Sequence, residues 1–172
     1  GFAEQLVAAG FSVVAHNHRG HGSSDTTVLG SFGEAGSWDK VLGDLEIVRD
    51  AICDPELPYY MFAHSMGSFI VQSYLSTCTR KIDGVVLSGS NLQAPFLSGA
   101  GRFVAKIEQL RLGRESSSSL LQFLSFGSFN QNFKPNRTQY DWLSRDHEQV
   151  NKYINDPLCG FSCSTALWHD FL

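Results

Sequence analysis

Charged residues are scarce in this chain, and the positively charged ones form no cluster. Asp, Glu, Lys and Arg together make up 17% of the 172 residues, whereas about a quarter is usual in globular domains. A nucleic-acid-binding surface needs clustered Lys and Arg. With a formal net charge of −4, we therefore expect no nucleic-acid partner. A hydrophobic share of 42% indicates a globular protein with much buried sheet, or one whose apolar surface serves a purpose.

Long apolar runs are also missing. No stretch approaches the ~20 apolar residues of a membrane-spanning helix, so we predict no transmembrane segment. The first residues lack the basic region and apolar core of a secretory signal peptide. The spacing of Cys53, Cys78, Cys159 and Cys163 matches no common zinc pattern. Their mostly apolar neighbours predict buried thiols in a reducing compartment, hence a cytoplasmic location; a disulfide between Cys159 and Cys163 is the less favoured alternative.

One serine interrupts an apolar stretch near the middle of the sequence. Residues 57–64 (LPYYMFAH) are largely apolar and aromatic, Ser65 follows, and residues 66–71 (MGSFIV) begin a helical pattern. This order predicts a strand, a sharp turn and a helix. It is the context of a nucleophile elbow, in which a serine occupies a strained turn at the carboxyl end of a buried strand. The small residues Ala63 and Gly67 would leave room for such a turn.

The predicted turn suits nucleophilic catalysis. It would project the Ser65 hydroxyl into a cleft, and the Met66 N–H would face the developing oxyanion with help from the start of the helix. The neighbouring His64 is a candidate for substrate binding. The alternative is an ordinary serine in a small-residue turn, since small-x-Ser-x-Gly is common by chance. The flanking strand and helix favour the nucleophile.

Three histidines alternate in residues 16–25 (HNHRGHGSSD). Imidazole is a common metal ligand, but no nearby set of carboxylates or thiolates completes a site, so we predict no metal. A phosphate-binding loop would end in Gly-Lys-Ser/Thr, which is absent here. Gly20 and Gly22 instead indicate a tight loop, and residues 26–36 continue as a glycine-rich loop.

Helices and strands alternate over residues 1–91. Helical patterns at residues 1–9 and 38–52, and the one after Ser65, separate apolar strands predicted at residues 11–15 and 82–88 and the strand before the serine. This alternation indicates an α/β fold with a parallel sheet and helices on both faces. Sites in such sheets lie beyond the carboxyl ends of the strands.

The pattern becomes helical from residue 92 onward. We predict helices around residues 103–110, 120–124, 148–153 and 167–172, and a polar loop that contains Phe126, Phe129 and Phe133. The chain therefore divides into a core part, residues 1–91, and an all-helical insertion or lid, residues 92–172. Phe126 and Phe129 are candidates for lining an apolar substrate pocket.

Three stretches resemble one protein family. Residues 18–23 (HRGHGS), 64–67 (HSMG) and 142–146 (WLSRD) are similar to motifs of the α/β-hydrolase fold, and in particular of its monoacylglycerol lipase, lysophospholipase and serine aminopeptidase S33 family. The resemblance runs from residue 1 to residue 172. Two positions depart from it: Asn17 stands where the family usually has Asp, and Ala63 stands where it usually has Gly.

The resemblance implies a serine hydrolase that cleaves carboxylic esters of monoacylglycerol or lysophospholipid type through an acyl-enzyme. It implies no cofactor, a small lipid or ester substrate, and transient contact with a membrane surface. In this family the acid and the histidine of the triad follow the lid, so we expect both beyond residue 172. A second oxyanion donor is expected before residue 1. On this reading the chain is an internal fragment, truncated at both ends, and residues 1–172 alone are inactive.

The chain itself contains acidic residues and histidines in the order that a triad requires. Asp141, Asp146 or Asp156 followed by His169 has the required chain order, and His147 adjoins Asp146, but all of them fall in the lid and are interpreted as packing residues. Two other functions remain open. One is a non-catalytic hydrolase-fold protein that binds an apolar ligand or a partner. The other is a peptidase or small-ester hydrolase of the same fold.

Overall fold

The computed structural model describes residues 1–24, 28–33, 36–92 and 95–172. Parts of the predicted glycine-rich loop, residues 26–27 and 34–35, lie outside these ranges, as does Asp25. In chain order the described elements are α1 (Phe2–Ala8), α2 (Ser37–Ile52), β1 (Tyr60–His64), α3 (Met66–Thr77), β2 (Gly84–Ser88), α4 (Pro95–Leu112), α5 (Ser119–Phe126), 3₁₀ turns at Phe129–Phe133 and Asp141–Leu143, α6 (His147–Asn155) and α7 (Thr165–Phe171). None of the described helices is both long and apolar enough to cross a membrane.

The chain divides into two compact units. Residues 1–17 and 42–91 contain both strands and form the strand unit, and residues 18–41 and 92–172 form the helical unit. The sequence-based division lies at residue 91 alone. It placed residues 18–41 with the first part, however, whereas the structure groups them with the second.

A parallel strand pair joined through a helix forms the centre of the strand unit. β1 and β2 pair in parallel, with Tyr60 opposite Gly84 and His64 opposite Ser88. Helix α3 connects them and packs against β1, as a parallel connection requires a crossover element. Its buried residues Ile70 and Val71 lie in the core with Ala63 of β1. The carboxyl ends of both strands therefore lie side by side.

The strand predicted over residues 11–15 is not formed. Residues 11–18 have no regular secondary structure, and among the described residues β1 and β2 pair only with each other. A strand needs a partner for its ladder hydrogen bonds, and an apolar pattern does not supply one. Phe11 instead makes an edge-on ring contact with Tyr60, with the ring centroids 6.0 Å apart.

A buried arginine of α2 contacts α3 and the segments that precede the two strands. Arg49 of α2 is only 6% exposed and lies over the Tyr59 ring, 4.3 Å from its centroid. It donates hydrogen bonds to the Lys81 carbonyl and, at 3.5 Å, to the Tyr74 hydroxyl. Tyr74 in turn donates to Glu46 at 2.5 Å. Burial raises the pKa of Tyr74, and the bond from Tyr74 lowers the pKa of Glu46. The phenol thus stays a donor to an ionised carboxylate.

The helical unit is built around contacts of α4 with α7. Its buried centre consists of Ala105, Leu121 and Trp168. Thr165, which is fully buried, donates its hydroxyl to the Gly113 carbonyl at 2.7 Å. Side chains cap three helices by accepting backbone N–H groups: Ser118 for α5, Asp146 for α6 and Ser164 for α7.

The phenylalanines of the predicted polar loop lie in regular structure instead. Phe126 is the last residue of α5 and Phe129 begins a 3₁₀ turn that ends at Phe133. The Phe126 ring stacks on Trp142 with centroids 6.0 Å apart and contacts Trp168 at 5.7 Å. The prediction of a loop was wrong because these ring contacts, which local periodicity does not reveal, extend α5 by stabilising its end.

Backbone hydrogen bonds connect Gly30 both to Gly20 and to Ser164, which precedes α7. Gly30 N–H donates to the Gly20 carbonyl at 2.8 Å, and the Gly30 carbonyl accepts from Ser164 N–H at 2.7 Å. The His21 ring contacts Phe32 and Phe161, with centroids 5.8 and 5.4 Å away. These contacts explain why residues 18–41 group with residues 92–172.

We predict that Gly30→Ala destabilises the protein far more than Gly113→Ala. Both glycines have positive φ, 80° and 93°, so either alanine suffers backbone strain of roughly 1–2 kcal/mol. A Cβ at Gly30 would also lie 2.5 Å from the Ser162 carbonyl oxygen, whereas at Gly113 it would meet only Ser116 Oγ at 3.8 Å. The overpacking adds about 1–3 kcal/mol. Denaturant unfolding of the two variants measures the difference, and equal losses would contradict the packing of this loop.

Candidate active site

Ser65 occupies a strained turn between β1 and α3. β1 ends at His64, α3 begins at Met66, and Ser65 has φ 52° and ψ −125°. It is the one non-glycine residue with positive φ among those that the structure describes. These angles are close to the first central position of a type II′ turn, where glycine is usual. Such a conformation costs of order 1–3 kcal/mol and persists only when its surroundings enforce it. The strand–turn–helix arrangement is as predicted.

Backbone hydrogen bonds hold this turn from both sides. Ser65 N–H donates to the Ser88 carbonyl at the end of β2, at 2.9 Å, and the Ser65 carbonyl accepts from Ser68 N–H at 2.8 Å. One bond comes from the neighbouring strand and the other from the first turn of α3. The positions of β2 and α3 therefore enforce the unusual backbone of Ser65.

Two glycines, Gly67 and Gly89, lie close to the Ser65 turn. A Cβ at Gly67 would meet no atom within 4 Å among the described residues, so the expected crowding at Gly67 is not found. A Cβ at Gly89 would lie 3.1 Å from His64 Cε1 and 3.7 Å from Ser65 N, and Gly89 has φ 58°. Gly89 directly follows β2, and only the pairing of β1 with β2 brings it beside the turn.

Met66 stands where an oxyanion donor is expected. As the first residue of α3, it carries one of the N–H groups that a helix leaves without an intrahelical acceptor. The positive end of the helix dipole lies at the same place. The Ser65 side chain is exposed, so an accessible hydroxyl and a backbone N–H group lie next to each other. This arrangement suits attack on a carbonyl carbon with stabilisation of its oxygen.

His64 lies at the carboxyl end of β1 and is exposed. Its Nδ1 is 3.0 Å from Ser88 Oγ, so the end of β2 positions the imidazole as well as the Ser65 amide. On the same edge Gln72 donates to Ser90 Oγ at 2.8 Å. The edge is thus polar, and the role of His64 in substrate binding remains a prediction.

The other candidate residues lie in the helical unit. Phe126 is half-buried among aromatic rings, and Phe129 is exposed with its ring centroid 5.0 Å from that of Trp142. Their predicted contact with substrate remains a prediction. His21 packs between two phenylalanines, and within the described ranges no group of three or more His, Cys, Asp or Glu is arranged to hold a metal ion.

The aspartates named as possible triad substitutes lie in the helical unit and make local contacts. Asp141 accepts hydrogen bonds from the backbone of residues 137 and 138. Asp146 caps α6, and Asp156 accepts from Leu158 N–H at 2.8 Å. His169 Nδ1 lies 3.3 Å from Asp170 Oδ1, and Asp170 also accepts from Ser37 Oγ at 3.0 Å. These contacts agree with the interpretation of these residues as packing residues of the lid.

Comparisons with known proteins point in one direction. The family model described as "Serine aminopeptidase, S33" matches residues 1–172. Among solved structures, the chain is similar to a highly thermostable carboxyl esterase from Bacillus coagulans, solved in complex with glycerol, with a TM-score of 0.81 and 28% sequence identity. The match covers 98% of this chain and 56% of the esterase, so the chain spans little more than half of that protein's length. No curated protein matches the chain.

We predict that Ser65→Gly makes the protein more stable than Ser65→Ala. Alanine keeps the Cβ that makes φ 52° unfavourable, whereas glycine adopts this region freely. Relief of the strain should exceed the entropic cost of glycine and leave Ser65→Gly about 1 kcal/mol more stable. Thermal unfolding of both variants in the full-length protein measures the difference. A lower melting temperature for Ser65→Gly would mean that the turn is not strained.

Proposed function

This chain belongs to the serine aminopeptidase S33 family and has the α/β-hydrolase fold, and from this premise we propose that it carries the nucleophile of a serine hydrolase that cleaves carboxylic esters. The observation that carries the proposal is the backbone of Ser65, held at φ 52° between β1 and α3. A strain of this kind is maintained where a side chain must project from a turn. The similarity to a carboxyl esterase favours an ester as the substrate.

In the proposed reaction the Ser65 hydroxyl oxygen attacks the ester carbonyl carbon. The developing oxyanion accepts a hydrogen bond from Met66 N–H, the alcohol departs, and water then hydrolyses the acyl-enzyme. A serine hydroxyl needs a base to remove its proton. We propose that a histidine takes this proton and gives it to the departing alkoxide, which leaves as the alcohol, and that a carboxylate orients the histidine. The family resemblance implies that both residues follow residue 172, in the chain order Ser, acid, His.

We further propose that the substrate has a medium or long acyl chain, of monoacylglycerol or lysophospholipid type. The support comes from the helical unit. Phe103, Ile107 and Leu110 recur along one face of α4 at spacings of four and three residues, and all are exposed. On α5, Phe123 and Leu124 are exposed as well. Apolar surface on this scale favours a long apolar substrate.

We expect Ser65→Ala to lower ester turnover by several orders of magnitude without loss of the fold. Removal of a triad nucleophile leaves only about 10³–10⁴-fold catalysis over water. The measurement is hydrolysis of a nitrophenyl ester, together with fluorophosphonate labelling, in the full-length protein. The control is Ser76→Ala, which removes an exposed hydroxyl from α3, the helix that follows Ser65.

Two outcomes would contradict this assignment. Turnover and labelling at the normal level in Ser65→Ala would mean that another residue is the nucleophile. A full-length protein that neither labels nor hydrolyses esters would favour the non-catalytic alternative, a hydrolase-fold protein that binds an apolar ligand or a partner.

We expect kcat/KM to increase with acyl length up to a limit. Each CH₂ group buried against the apolar face of α4 contributes at most ~0.8 kcal/mol, or about fourfold. The profile is measured from acetyl to dodecanoyl esters. Phe103→Ser should flatten it, whereas Ile47→Ser should not, although both side chains are 67% exposed. A flat profile in the unmodified protein would rule out an acyl-binding role for the helical unit.

A further inference from the structure

Ser68 carries a buried hydroxyl that contacts the backbone of Ser65. The side chain lies in the first turn of α3 and is 0% exposed. Its Oγ donates to the Ser65 carbonyl oxygen at 2.6 Å, and its backbone N–H donates to the same oxygen at 2.8 Å. A buried hydroxyl needs a hydrogen-bond partner. Here the partner is the carbonyl group of the proposed nucleophile, which therefore accepts two hydrogen bonds from one residue.

These two bonds act on the peptide group that joins Ser65 to Met66. A trans peptide is planar, and its C=O and N–H point in opposite directions. Fixing the direction of the Ser65 carbonyl therefore fixes the direction of the Met66 N–H. On the other side of Ser65, the amide is held by the Ser88 carbonyl at 2.9 Å. Rotation of the peptide group between Ser65 and Met66 would therefore break the hydrogen bonds from Ser68.

We propose that Ser68 is a positioning residue whose hydroxyl aims the Met66 N–H at the oxyanion of the reaction. The inference rests on the proposed function, since it concerns the oxyanion donor of that reaction. Without the hydroxyl, the Ser65 carbonyl would lose the hydrogen bond from Ser68 Oγ, and the peptide group would have more freedom. The Met66 N–H would then point at the oxyanion for a smaller part of the time, which weakens a bond made in the transition state.

The experiment compares Ser68→Ala with Ser76→Ala in the full-length protein. Ser76 makes the same local bond in the same helix, from its Oγ to the Ser73 carbonyl at 2.7 Å, but it lies on the exposed side. We expect Ser68→Ala to lower kcat for an ester about tenfold at unchanged KM. This loss is smaller than the ~10²–10³ of losing an oxyanion donor outright. Ser76→Ala should keep kcat, and Ser68→Thr, which restores a hydroxyl, should recover most of it.

A thionoester substrate distinguishes orientation of the Met66 N–H by Ser68 from a purely structural role of Ser68. Its carbonyl sulfur accepts hydrogen bonds more weakly than oxygen, so its hydrolysis depends less on the direction of the Met66 N–H. We expect the defect of Ser68→Ala to be several-fold smaller on the thionoester than on the matched ester. An equal defect on both substrates would mean that Ser68 only supports the structure, and would overturn the inference.

The remaining outcomes separate this inference from the proposed function. If Ser65→Ala is inactive while Ser68→Ala and Ser76→Ala have equal kcat, the inference is wrong and the function stands. If the unmodified protein has no Ser65-dependent turnover, both are wrong.

Discussion

The parallel register of β1 and β2 is the constraint on which the candidate site depends. Because His64 stands opposite Ser88, the Ser88 carbonyl meets the Ser65 amide and Ser88 Oγ meets the His64 ring. A slip of one residue would remove both contacts and turn every side chain of the strand to the other face. The register also places Gly89 beside His64 and Ser65, and its φ of 58° is a backbone conformation that favours glycine. The pairing of β1 with β2 thus positions the Ser65 backbone and the His64 imidazole, and places a glycine beside the serine.

Local structural rules are obeyed in most of the chain and broken at Ser65. Helices α5, α6 and α7 begin with Ser or Asp side chains that accept backbone N–H groups, as helix capping requires. The left-handed turns in the loops fall on glycine. At Ser65 a side chain with a Cβ occupies a backbone region that favours glycine. Proteins concentrate such exceptions at functional sites, which fits the proposed role of this serine.

The interior of each unit is stabilised by a different kind of interaction. In the strand unit, Arg49 of α2 lies over the Tyr59 ring and donates hydrogen bonds to the Tyr74 hydroxyl and the Lys81 carbonyl, while its Nε has no hydrogen-bond partner among the described residues. In the helical unit, aromatic rings pack against each other around Trp168, and the loop at Gly30 is joined to Ser164 by its backbone. Long-range polar contacts order the first unit, and ring packing orders the second.

The amino-acid sequence by itself determined the local features of this protein: the strand, turn and helix around Ser65, the main helices, and the small residues beside the serine. These follow from periodicity and residue size over a few positions. Tertiary structure decided the rest. The predicted strand at residues 11–15 has no ladder partner among the described residues, Phe126 at the end of α5 stacks on Trp142, and Gly89 rather than Gly67 is the glycine whose Cβ would approach the Ser65 turn. Each depends on residues distant along the chain, whose proximity is set by strand pairing and core packing and leaves no local pattern.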